Sequence, residues 1–75
     1  MNAENRKDVQ RAVNLLEEAK GLLEEIAGGE NEKFENLNEG GQASEMGQRL
    51  EEAADALQEA ADSVDEIISE LQEYV

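Results

Sequence analysis

Residues 44–75 read SEMGQRLEEAADALQEAADSVDEIISELQEYV. Within them Met46, Leu50, Ala53, Leu57, Ala60, Val64, Ile67, Leu71 and Tyr74 recur at alternate spacings of four and three. A strand would need apolar residues at every second position, whereas this spacing returns them to one side of an α-helix. A neighbouring column, Ala54, Ala61, Ile68 and Val75, repeats every seven residues and broadens that side beyond a strict two-stranded seam. Ser44 is a good N-cap, and Glu45 places a negative charge at the positive end of the helix dipole. The spacing therefore predicts a helix over 44–75, a rod on the order of 45 Å long at about 1.5 Å per residue.

Upstream, Val9, Ala12, Leu16, Ala19, Leu23 and Ile26 show the same alternation, widened by Val13, Leu15, Leu22 and Ala27. This predicts a first helix over 5–27. Gly21 weakens its interior, and Gly28-Gly29 supply residues suited to a helix C-terminus, so the helix is expected to stop there. Residues 28–43 then form a connection rich in Gly, Asn and Glu, with Phe34 and Leu37 as its large apolar side chains. One short helical turn would bring that pair together, to cover the open end of the hairpin. The fold expected is all-α: one domain over 1–75, an antiparallel hairpin of two heptad-patterned helices. Alanines at 12, 19, 53 and 60 would let the two axes approach closely.

Seventy-five residues is close to the lower limit for a core that stands alone without disulfide, metal or partner subunit. A second helix longer than the first would leave the apolar residues near its end uncovered. Pairing of two hairpins into a dimeric four-helix bundle is the expected remedy, with Leu50, Leu57, Val64, Ile67, Ile68, Leu71 and Tyr74 as the oligomer seam.

The 20 acidic residues against six basic ones give a net charge of −14. DNA, RNA and anionic membranes would repel such a chain, so no direct nucleic-acid or membrane partner is expected. The charge is uneven: residues 1–27 carry six acids and four bases, residues 44–75 ten acids and only Arg49. Nine carboxylates lie between Glu51 and Glu73, roughly one per 3.8 Å along a helix. A DNA strand carries one phosphate per roughly 3.4 Å. The match motivates an expectation of nucleic-acid mimicry, in which Glu51, Glu52, Asp55, Glu59, Asp62, Asp65 and Glu66 engage a basic protein surface.

Chemistry finds little purchase here. With neither Cys nor His, the chain lacks the ligands of most zinc, copper and haem sites and has no disulfide framework. No run of Asp and Asn around a central Gly matches an EF-hand, and Gly40-Gly41 has neither the Lys nor the preceding strand of a phosphate-binding loop. Ser44, Ser63 and Ser69 have no His to activate them. No enzyme, cofactor or metal is expected. The polar start of the chain leaves no apolar stretch for a signal peptide, and no apolar run is long enough for a membrane span, which favours a cytoplasmic protein.

Phe34-Glu35-Asn36-Leu37, Glu39-Gly40, Gln42, Ser44-Glu45 and Gly47, followed by Glu51-Glu52-Ala53-Ala54 and Ala/Glu/Asp heptads, carry a resemblance. From Phe34 onward the chain resembles small acidic helical proteins encoded by bacteriophages and prophages. Where Asn38 and Gly41 stand, those proteins often have Pro and a larger apolar residue, so a looser loop is expected here. The resemblance implies a phage origin, a bacterial host cytoplasm and no catalytic activity. By analogy it points to an inhibitor that blocks a host nucleic-acid-binding or defence protein. The competing expectation is an assembly module that self-associates, or pairs with another helix, through its heptad seam.

Overall fold

Asn2 opens the first helix by accepting a hydrogen bond from Asn5 N at 2.7 Å, which satisfies one of the amides left unpaired at a helix start. The computed structural model describes Met1–Val75 and contains helices α1 (Ala3–Glu35), α2 (Glu39–Ala43) and α3 (Glu45–Leu71), closed by a 3₁₀ turn at Gln72–Tyr74. There is no strand. The chain is all-α, a hairpin of two long helices joined by a short one, 58 Å long and 14 by 12 Å across its Cα atoms. No helix is long and apolar enough to cross a membrane.

The first helix does not stop at Gly28-Gly29 as expected. It runs through them to Glu35, and neither glycine adopts a positive φ. The inner side of α1 explains the continuation, because Glu30, Phe34 and then Leu37 extend the same alternate spacing that brings Ala27 into the core. Packing on that side outweighs a helix cost of about 1 kcal/mol per glycine relative to Ala. Termination falls instead at Asn36, whose amide bonds back to Glu32 O at 3.0 Å.

The expected loop over 28–43 is thus mostly helix, and hydrogen bonds hold its short remainder. Asn38 caps α2 by accepting from Gly41 N at 2.8 Å, and Gln42 Nε2 donates to Phe34 O at 3.3 Å. The turn expected to join Phe34 and Leu37 lies at the end of α1, where Leu37 N donates to Phe34 O at 3.1 Å, and α2 is a separate short helix beyond it; both side chains are half-buried. Ser44 caps α3 as predicted, accepting from Gly47 N at 3.1 Å while its hydroxyl donates to Gly41 O. Gly47 is buried where α3 begins against α2. A Cβ there would stand 2.3 Å from Gly41 O and 2.6 Å from Gln42 O, so only glycine permits this approach.

The relative lengths of the helices are also reversed. At about 1.5 Å per residue α1 spans about 50 Å and α3 about 40 Å, so α1 accompanies α3 to its end and Leu71 is half-buried there.

The core is thin. Val13 and Ala27 from α1 and Gly47, Ala54, Ala61 and Ile68 from α3 are the six buried residues of 75, which leaves the hairpin with little interior of its own. Half-buried Val9, Leu16 and Leu23 flank them on α1, and Leu50, Leu57, Val64 and Leu71 on α3.

Candidate interaction faces

Each helix turns two heptad columns toward the other. On α1 they are Val9/Leu16/Leu23/Glu30 and Val13/Lys20/Ala27/Phe34; on α3 they are Leu50/Leu57/Val64/Leu71 and Gly47/Ala54/Ala61/Ile68. Three of the six expected seam positions of the first helix and four of the nine of the second therefore face inward, and the rest lie one residue from an inner column. Ala12, Ala19 and Ile26 of α1, Met46, Ala60 and Ile67 of α3, and Tyr74 of the closing turn are exposed instead of meeting the other helix. Among the residues assigned to an oligomer seam, Leu50, Leu57, Val64, Ile68 and Leu71 pack inside the hairpin, while Ile67 and Tyr74 remain on its surface.

One flank of the pair is polar. Glu17, Lys20 and Glu24 of α1 line a shallow groove of ≈ 360 Å³ with Asp65 and Ile68 of α3 and Gln72 of the closing turn. Farther toward the turn, Ala27 and Asn31 line a second groove with Ala54 and Gln58. These grooves fix which columns share a flank. Lys20 Nζ lies 3.0 Å from Asp65 Oδ1, the one ion pair that crosses between the helices. The Asp65 carboxylate that accepts this hydrogen bond raises the Lys20 ammonium above its ordinary 10.5. Partial desolvation pulls the other way, and the negative charges of Asp65, Glu24 and Asp62 add to the rise.

The opposite flank is apolar. There Ala12, Ala19 and Ile26, backed by Leu15 and Leu22, run alongside Met46, Ala53, Ala60, Ile67 and Tyr74. Leu15 is 60% and Leu22 55% exposed, values foreign to the side chains of a finished core. No acid interrupts the stripe between Ala12 and Ile26, or in the α3 column from Met46 to Tyr74. The 58 Å rod exposes 5514 Å², about 900 Å² more than a compact monomer of 8.3 kDa, a surplus that its elongated shape spreads over every face.

The third face is the outside of α3. Glu51, Glu52, Asp55, Glu59, Asp62 and Glu66 are exposed there, with exposed Asp65 at the border with the polar flank. Asp65 is the member with a cation, and Asp62 accepts from Gln58 Nε2 at 3.1 Å. No three acidic side chains gather closely enough to hold a metal ion.

No family of known proteins, no curated protein and no solved structure matches this chain.

Proposed function

We propose that this chain is a non-enzymatic helix-pairing module, one that works by laying its apolar flank against another helical surface. The exposed stripe carries the reading: Leu15, Leu22 and Ile26 beside Met46, Ile67 and Tyr74, on the side of the hairpin from which acids are missing. Contiguous apolar surface of this extent, rimmed by charge, marks an interaction site. Carboxylates placed on the other faces keep the free chain dispersed without obstructing the contact.

The test is an affinity capture from bacterial lysate, run with the native chain, a Leu22→Glu/Ile67→Glu variant, and a variant with Glu52, Asp55, Glu59, Asp62 and Glu66 changed to Gln or Asn. The reading expects a helical partner, of this chain or another, to be lost with the apolar variant and kept with the neutralised one. Binding that survives Leu22→Glu/Ile67→Glu would defeat it.

The outside of α3 supports a second reading, a phage-encoded inhibitor whose acids mimic nucleic acid and block a basic surface of a host nucleic-acid-binding or defence protein. Its support is the row of seven exposed carboxylates with one cation among them. Like charges three and four residues apart cost a helix a few tenths of a kcal/mol per pair, a penalty that a purely supporting helix would relieve with Lys or Arg. In the capture experiment this reading expects the reverse: partners lost on neutralisation and retained by the apolar variant. This inhibitor reading places the protein in the cytoplasm of a bacterial host.

A further inference from the structure

We propose that the occupant of the apolar flank is a second copy of this chain pointing the same way, turn beside turn, related by a two-fold axis parallel to the helices. This rests on the helix-pairing reading above and adds the identity and direction of the partner.

The register of the hairpin carries it. Lys20 meets Asp65, and the second groove sets Ala27 and Asn31 against Gln58 and Ala54. Counted outward in opposite directions along the antiparallel helices, Ala12 lies level with Tyr74, Ala19 with Ile67, Ile26 with Ala60 and Lys33 with Ala53, each to within about one residue, or about 1.5 Å. At all four levels one member is small and the other large. The large member belongs to the second helix and its closing turn toward the open end, and to α1 toward the loop. A two-fold axis along the bundle keeps every level and lays α1 of each copy over α3 of the other, so that residue i meets j and j meets i. Each alanine then receives the large residue that stands beside it in its own chain: Ile67 enters over Ala19, Tyr74 over Ala12, and Ile26 over Ala60. Lys33 comes over Ala53, where its stem has room to run out to solvent.

The stripe is also too wide for one helix. Leu15 and Leu22 stand one column farther from α3 than Ala12, Ala19 and Ile26, and a single helix seated between α1 and α3 leaves them at its rim. An α3 lying directly over α1 covers them. It brings Ser63 level with Leu22 and Ala56 level with Gly29, small side chains that let the two axes approach closely. The corner leaves this flank open, because the α2 carbonyls of Gly41 and Gln42 lie against Gly47, in the inner column that borders the polar flank.

Charge selects the direction. Residues 44–75 hold ten acids and one base, residues 1–27 six acids and four bases. Same-direction stacking sets each α3 beside the less acidic α1 of the other copy and keeps the two α3 helices diagonal. An inverted copy would lay α3 on α3, the most repulsive pairing the chain offers. An anionic membrane, the other apolar acceptor, would be repelled by the whole molecule.

Sedimentation equilibrium on the full chain, with a size swap and cysteine cross-linking, tests the proposal. The native chain is expected at twice 8.3 kDa. Ala19→Ile sets isoleucine on isoleucine and should weaken the dimer at least about tenfold; adding Ile67→Ala to it should recover most of that loss. Both positions are exposed in the hairpin, so helical circular dichroism should be unchanged throughout. The native chain has no cysteine, so thiols placed singly report one contact each. A mixture of Ala19→Cys and Ile67→Cys should oxidise to a covalent pair, and neither variant should do so alone. A native chain that sediments as a monomer overturns the proposal. So does a dimer in which Ala19→Cys joins another Ala19→Cys, or Ile26→Cys, in place of Ile67→Cys, the signature of an inverted copy. If the chain is a monomer and a captured helical protein is still lost on Leu22→Glu/Ile67→Glu, the helix-pairing reading stands without this one; if nothing is lost, both fall.

Discussion

Lys20 occupies a seam position of α1, between Val13 and Ala27 in the same heptad column, and reaches out of the seam to Asp65 of α3, Nζ to Oδ1 3.0 Å. The side chain can bury its methylenes while its ammonium stays at the polar flank. With its folded pKa raised above 10.5, the pair's contribution is present in full below that unfolded value and is lost as pH climbs through the higher folded one. Lys20→Met removes the pair and keeps the stem. Urea midpoints should therefore fall further for the native chain than for Lys20→Met between about pH 9 and about pH 12. Equal losses would mean that the pair contributes nothing to the folded state.

Gly47 and the Gly28-Gly29 pair should respond in opposite directions to the same substitution. Gly47→Ala drives a methyl into the carbonyls of Gly41 and Gln42 and must push α3 away from α2, at a cost of about 1–3 kcal/mol. An alanine at 28 or 29 meets nothing within 4 Å and replaces a poor helix former in mid-helix, a gain of about 0.5–1 kcal/mol each. Urea denaturation of the three single variants decides it. A stabilising Gly47→Ala would show that the α2–α3 corner is looser than described.

The same glycines show what the sequence could reveal. Heptads identified both long helices and their antiparallel return, and Ser44 marked the start of α3 to the residue. Gly28-Gly29 misled because a glycine pair in the middle of a helix and one beyond its end look alike until Glu30, Phe34 and Leu37 are seen to continue the inner columns. The seam was ambiguous for a different reason. From Val9 or Leu23 an apolar neighbour exists both three and four residues on, and from Leu16 the residue four on is Lys20, which makes the true column look the poorer of the two. A stripe three columns wide cannot all face one helix, so the excess was itself a sign of a second contact. The exposed acids of α3 were legible from their heptad positions, whereas the pairing of Asp65 with Lys20 depends on interhelical register, which spacing alone does not set.

Val13 and Leu15 separate the hairpin from its pairing. Val13 is 1% exposed and Leu15 60% exposed, though two residues apart. Val13→Ala leaves a cavity between the helices and should cost about 1–2 kcal/mol at every protein concentration. Leu15→Ala should cost under about 0.5 kcal/mol in dilute solution, as for an ordinary surface change, and more as concentration rises and association contributes to stability. Thermal unfolding across a hundredfold range of concentration reads both. A Leu15→Ala penalty independent of concentration would mean that Leu15 is covered within the monomer.

Salt should act on the two candidate faces with opposite sign. Glu52, Glu59, Glu66 and Glu73 form one outward column on α3 and its closing turn, each with another acid three or four residues away. Changing all four to Gln relieves several like-charge pairs at a few tenths of a kcal/mol each, so the variant should melt above the native chain at low ionic strength. The gap should close in about 1 M salt, where the Debye length falls to about 3 Å. Association through the apolar flank brings two −14 chains together, so native self-association should strengthen over the same salt range. Binding of the acidic face to a basic protein should weaken instead. Sedimentation equilibrium at low and high salt therefore bears on the faces directly: a dimer that dissociates as salt rises would mean that opposite charges, not the apolar stripe, hold the copies together.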